Sequence, residues 1–178
     1  MGLSFGFTAL TTLFLVRANP WDTPALFTWL SGSTYGRAWA DIAPVALTLL
    51  VAVPLAFVWT RELDLLALDD DTPRLVGVPR EPVRLAVLIT AAVLAAASES
   101  AVGVVGFIGL VAPHAARALV GARHIRVVPT AMLLGAVGLV VADAVGRTVI
   151  APAQIPAGLI VALIGAPYFI YLLARTRA

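Results

Sequence analysis

The sequence predicts an all-α integral membrane protein, a polytopic bundle of transmembrane helices in one domain over residues 1–178. Three observations carry this. First, 61% of the residues are hydrophobic and only 12% are charged, with a mean hydropathy of +0.98. A soluble domain is nearer half apolar and about a quarter charged. Second, the apolar residues fall into runs long enough to cross a hydrocarbon layer of about 30 Å. Third, one apolar stretch, residues 99–126, is interrupted by Gly103, Gly106, Gly109 and Pro113. Glycine permits close backbone approach and proline removes a helix hydrogen bond. A broken backbone at membrane depth survives only inside protein or beside a water-filled cavity. Such interrupted segments are typical of transport proteins.

Composition also excludes function classes. Cysteine is absent, which removes disulfides and thiolate metal sites. All twelve basic residues are Arg, so no phosphate-binding loop ending in GK[ST] exists, and any ATP is hydrolysed elsewhere. The arginines stand singly between apolar runs, which fits membrane flanks rather than a stripe that tracks nucleic acid. No metal and no cofactor is expected.

Along the chain, residues 2–16 form an apolar segment without the basic start of a signal peptide. Residues 17–40 interleave Trp21, Trp29, Tyr35 and Trp39 with Pro and Gly, which suggests an interfacial segment with a short helix over 23–31. Residues 42–60 are an uncharged span closed by Trp59 and Arg61. Residues 61–84 hold nearly half of the charges, and short helices are expected over 62–68 and 73–76. Thr72 and Pro73 supply a start signal for the second and Gly77 a stop. Further spans are expected at 85–98, at 107–119 (half-length), at 128–146 and at 157–174. Gly135 and Gly138 suit close helix packing in lipid, and Asp143 and Arg147 stand four apart on one helix face.

Placing 61–84 in the cytoplasm puts nine arginines inside and only Arg17, Arg37 and Arg147 outside. That bias also places the C-terminus in the cytoplasm. The 61–84 loop carries apolar residues as well as charges, which suits a docked cytoplasmic partner rather than a bare connector. His114 as a catalytic base would need a nucleophile and an orienting acid, with Ser98, Ser100, Glu99 and Asp143 the available groups. No GxSxG or HExxH motif supports such a small intramembrane enzyme. A packed or interfacial histidine is the ordinary reading of His114. Glu99 reads equally as an intramembrane acid or as a solvated group near the outer surface.

Several runs then resemble one family. GFIGLVAPHAAR from Gly106 to Arg117, with Gly109, Pro113 and His114 inside it, is followed by ADAVGR over Ala142–Arg147, IPAGLI over Ile155–Ile160 and IGAPYF over Ile164–Phe169. Their order and spacing resemble the iron-siderophore, haem and vitamin B12 permeases of ATP-binding-cassette importers, the FecCD type, over residues 60–174. WLSG at Trp29–Gly32 resembles that family's tryptophan-glycine turn. The resemblance implies a type II importer fold, truncated here to the C-terminal half, with alternating access driven by a separate ATPase subunit in the bacterial inner membrane. It implies a second permease subunit, an extracytoplasmic substrate-binding protein and membrane lipid as partners, and no nucleic acid. It assigns the coupling loop, with Leu68, Asp70, Arg74 and Gly77, to ATPase docking, and Arg147 to a carboxylate on the binding protein. A non-transporting membrane remnant is the further alternative.

Overall fold

The computed structural model describes residues 2–17, 19, 21, 23–67 and 80–176. Among these, every regular element is a helix. The helices are α1 (Gly2–Arg17), α2 (Thr23–Leu30), α3 (Trp39–Val58), α4 (Thr60–Leu66), α5 (Arg80–Val102), α6 (Ile108–Val120), α7 (His124–Thr148) and α8 (Ala157–Thr176). Residues Trp39–Val58, Glu81–Val102 and His124–Thr148 are long and apolar enough to cross a membrane, with mean hydropathies of 2.2, 2.0 and 2.0. Phe5–Arg17, Ile108–Val120 and Ala157–Leu172 are shorter apolar helices.

The helix limits differ from the sequence reading where charge was taken as loop. Residues Arg80 to Arg84 lie in the first turns of α5, so that helix begins five residues earlier than hydropathy alone suggests. Glu81 stands in its first turn, where a carboxylate complements the helix dipole. Likewise α7 begins at His124 rather than residue 128, and Pro129 sits inside it. The expected helix over 73–76 lies outside the described residues.

The break in the long apolar stretch is narrower than its glycines and proline imply. Gly109 and Pro113 both lie within α6, and only residues 103–107 are non-helical. Pro44, Pro54 and Pro167 are also accommodated inside helices. Proline is tolerated there because neighbouring helices and side chains satisfy the freed groups.

Three backbone segments meet at this break. Gly103 adopts φ +75° and donates to the Glu99 carbonyl at 2.7 Å, which closes α5. The Ser33 N–H donates to the Val102 carbonyl at 2.8 Å, and the Gly158 N–H donates to the Gly32 carbonyl at 2.9 Å. Thus the turn after α2, the break, and the first turn of α8 hydrogen-bond one another. A Cβ on Gly103 would lie 1.8 Å from the Trp29 carbonyl oxygen, and one on Gly158 would lie 2.3 Å from that of Ser31. Only glycine fits at either place. Four residues on, Phe107 takes φ 63° in a γ-turn, with the Ile108 N–H donating to the Gly106 carbonyl at 2.8 Å. That unfavourable backbone lays Phe107 against α8, where Gly165 leaves room for its ring.

Beyond this junction α6 packs on α7 and α8, α7 on α8, α3 along α5, and α4 against α7. Ala112 and Ala116, one turn apart, are buried on α6, and Ala112 meets Gly135 of α7. Small residues let backbones approach closely where lipid removes the hydrophobic drive. The buried core is small: Ala142, Ala157, Ile160 and Val161, with Val105, Phe107, Ile108, Leu139 and Ile155 packed on it. Much of the remaining apolar surface faces outward, as with Phe5, Phe14, Leu50, Leu133 and Leu163.

Gly103→Ala should therefore lower the stability of the folded chain by more than about 2 kcal/mol, the range of a strained, clashing backbone site. Gly109→Ala, whose Cβ meets nothing within 4 Å, should be neutral or slightly stabilising. Thermal unfolding of both variants in one detergent checks the contrast.

Candidate functional site

Two polar clusters lie at opposite ends of α7, a helix of 25 residues and so about 37 Å long. At its C-terminal end, the Arg147 Nε donates to Asp143 Oδ2 at 2.7 Å. Arg147 Nη2 reaches Thr34 Oγ1 at 3.4 Å, and the Thr34 hydroxyl donates to Asp143 Oδ1. Thr34 comes from the loop between α2 and α3, 109 residues from Asp143 in sequence. The Arg147 side chain is 43% exposed and that of Asp143 27%. The same end carries a cleft of about 340 Å3 lined by Thr28, Ser33, Tyr35, Pro152, Gln154 and Pro156.

At the N-terminal end, Asp64 of α4 supplies the cap that α7 lacks. The first N–H groups of a helix have no partner within it, and the residue preceding α7 is Arg123, whose side chain provides no cap bond. Asp64 Oδ1 accepts the His124 backbone N–H at 2.8 Å and lies 2.6 Å from His124 Nδ1. The His124 N–H holds the Asp64 carboxyl below its ordinary value, with smaller help from the imidazole and Arg123 and against the opposing effect of burial. Nearby, at the bend from α3 into α4, Trp59 Nε1 and Glu62 Oε2 are buried without a hydrogen-bond partner among the described residues.

The residues singled out from sequence divide accordingly. Arg147 is in the first cluster. Leu68, Asp70, Arg74 and Gly77 lie outside the described residues. Gly106 is in the break, and Gly109, Pro113, His114 and Arg117 are on α6. His114 and Arg117 are exposed, and the His114 ring meets Tyr168 of α8 edge to face, with centroids 6.1 Å apart. The groups considered for catalysis are not brought together. No hydrogen bond or ion pair joins His114, Glu99 and Asp143 among the described residues, and both Asp143 oxygens are engaged by Thr34 and Arg147. No metal-binding group of acids and histidines occurs among the described residues. A further apolar cleft of about 310 Å3 runs between α6, α7 and α8, past Ile108, Gly138, Val141, Ile164 and Tyr168.

Sequence reasoning missed Thr34 and Asp64. Each acts on a residue far along the chain, and no local pattern marks either one. The Asp143–Arg147 pair, by contrast, is local to one helix and visible in its spacing.

An all-helical bundle with apolar helices of spanning length, a broken segment packed inside it and polar clusters confined to the helix ends belongs to the class of polytopic membrane transport proteins. The chain is a member of the FecCD transport family, whose model matches residues 1–175. It is 41% identical over 160 residues to the Fe(3+)-citrate import system permease protein YfmE of Bacillus subtilis, covering 90% of this chain and 48% of that protein. It is 38% identical over 169 residues to the Fe(3+) dicitrate transport system permease protein FecD of Escherichia coli, covering 95% and 53%. The Escherichia coli iron(3+)-hydroxamate import system permease protein FhuB is 39% identical over 175 residues, covering 98% and 26%. The chain thus spans about half the length of YfmE and FecD. Among solved structures, the inward-facing conformation of a protein described as a metal-chelate type ABC transporter matches with a TM-score of 0.89 at 32% identity, over 97% of this chain and 56% of that one.

Removing the Asp64 charge tests the shared cap. Asp64→Ala should cost about 1 kcal/mol at the start of α7, read as lower amide protection at residues 124–127 with residues 140–146 unchanged. Acid should act in the same direction. A carboxyl held low in the folded state contributes stability above its unfolded value, near 4, and loses it as pH falls through the folded value. Protection factors at 124–127 in the parent chain, corrected for intrinsic exchange, should therefore fall only below about pH 4, and removing the Asp64 carboxyl should abolish that dependence.

Proposed function

We propose that this chain acts as a permease subunit, or about half of one, in an ATP-binding-cassette importer of chelated iron. The observation that carries this reading is the match along 97% of the chain to the inward-facing metal-chelate type ABC transporter. The sequence relatives support the iron-chelate substrate class, since their own names specify ferric citrate and hydroxamate import. The chain has no lysine for a phosphate-binding loop, so a separate ATPase subunit supplies the energy.

Residues 61–84 are the ATPase-docking loop in this reading, with Leu68, Asp70, Arg74 and Gly77 as contacts. This end faces the cytoplasm of a bacterial cell, as does the C-terminus, because Arg61, Arg84, Arg117, Arg123 and Arg126 fall on one side under the basic-residue bias. Arg147, at the other end of α7, meets a carboxylate of the substrate-binding protein. Closure of the ATPase pair tilts the helices about a central pathway. The loaded binding protein shifts that equilibrium only through different affinity for the two states. The outward apolar faces of α1, α3, α7 and α8 are covered by lipid, by the remainder of the permease and by a second permease subunit.

The test is transport in liposomes that hold the permease with its ATPase, with ATP inside and binding protein loaded with ferric citrate outside. ATP-dependent iron accumulation is the expected result, and its absence with ferric citrate and ferric hydroxamates alike overturns the reading. Arg147→Glu should slow association of the binding protein about tenfold at low salt, and the deficit should shrink as salt screens the face. Stopped-flow association at several ionic strengths reads this directly. Loss of the guanidinium's hydrogen bonds to the partner carboxylate should in addition raise the dissociation rate.

A further inference from the structure

Arg147 carries the only guanidinium engaged in an ion pair among the described residues, and two groups, Asp143 and Thr34, close a ring with it. Its Nε donates to one Asp143 oxygen, its Nη2 donates to Thr34 Oγ1, and the Thr34 hydroxyl donates to the other Asp143 oxygen. We propose that Thr34 and Asp143 are positioning residues that hold the Arg147 fork so that its outward edge meets a carboxylate of the loaded binding protein. This rests on the docking role given to Arg147 above.

The ring has two opposed consequences. The Asp143 charge partly cancels that of Arg147 and so weakens its pull on an acidic partner. It also removes rotamer freedom from a long side chain, which an incoming partner would otherwise have to remove. A guanidinium presented in fixed orientation suits bidentate recognition of a carboxylate, and fixing a group before it binds lowers the cost of binding. Orientation is the consequence with structural support here, because Thr34 is itself held. Ser33 is 6% exposed, its N–H is tied to Val102, and Gly32 is tied to Gly158. The Ser33 hydroxyl in turn accepts the Tyr35 N–H at 3.1 Å. The Thr34 hydroxyl is therefore placed by the backbone junction of α2, α5 and α8 rather than by a free loop. Tyr35, which borders the cleft of about 340 Å3, also lies within electrostatic reach of Arg147. The Arg147 side chain itself is 43% exposed, so a partner side chain can reach it.

Thr34 is the discriminating position, because Thr34→Val keeps the shape and leaves the charge of the face unchanged, whereas the isosteric change at Asp143, to Asn, removes a charge. The experiment measures binding kinetics of the binding protein, loaded with ferric citrate, to the permease–ATPase complex in lipid nanodiscs. Thr34→Val should raise the dissociation rate about threefold to tenfold, with the association rate little changed. Thr34→Ser, which restores the hydroxyl, should return the parent value. In an Arg147→Ala background Thr34→Val should have no further effect, since its action runs through the guanidinium. An equal loss in that background, or no loss from Thr34→Val where Arg147→Ala weakens binding, overturns the proposal and leaves the docking role of Arg147 standing. If Arg147→Ala itself leaves binding unchanged, the docking role falls and the proposal falls with it.

Discussion

The structure depends on one constraint: a helix that breaks among apolar residues must hand its free backbone groups to other backbone. In hydrocarbon each unsatisfied N–H or C=O costs several kcal/mol. The break after α5 meets that demand with the turn of Gly32 and Ser33, and the same turn accepts the Gly158 N–H in the first turn of α8. Partners this close exclude any Cβ at Gly103 and Gly158. The glycines therefore permit contact between segments more than they permit bending. Phe107 shows the converse, a residue with a side chain held in a left-handed conformation because its ring has a seat on Gly165.

That junction orders the rest. It fixes where α6 starts, and α6 then lies between α7 and α8 on small residues, with Ala116 fully buried. It also fixes the loop that carries Thr34, and so sets one corner of the polar ring at the end of α7. The buried core gathers around this place, while α1 and the outer faces of α3 and α7 remain apolar and uncovered. A chain with this little interior of its own is organised by backbone bonds and helix ends rather than by a filled core.

How much of this was legible follows from distance along the chain. Hydropathy marks the helices of α3, α5, α7 and α8 because each is a local run, and the Asp143–Arg147 pair is local too. The ends of α5 and α7 were less legible, since Arg80, Glu81 and Arg84 look like loop until they are seen to extend a helix past the apolar region. Gly109 and Pro113 were counted among the interruptions of the stretch, yet both lie in the helix expected over 107–119, and the break itself is 103–107. A proline costs a helix only when its lost bond is left without compensation, and sequence does not say whether neighbours supply it. The family was readable from the order and spacing of several motifs, none of which is specific alone. Thr34 and Asp64 were illegible, because Asp64 caps a helix that starts 60 residues later and Thr34 bonds a side chain 109 residues away.

The two polar clusters explain how α7 is located when its flanks are greasy. Apolar contact in lipid is nearly indifferent to sliding and rotation, because lipid tails are as apolar as leucine. Position then has to come from groups that bond in one geometry only. Asp64 does this at one end, closing an open helix start with a charged acceptor from α4. Thr34 and Asp143 do it at the other, where the α2 loop reaches the last turn. A helix of this length is thus fixed at each terminus by a group from another element, Asp64 of α4 at its start and Thr34 of the loop between α2 and α3 at its end, and α7 is the one helix here with a specific polar anchor at each end among the described residues.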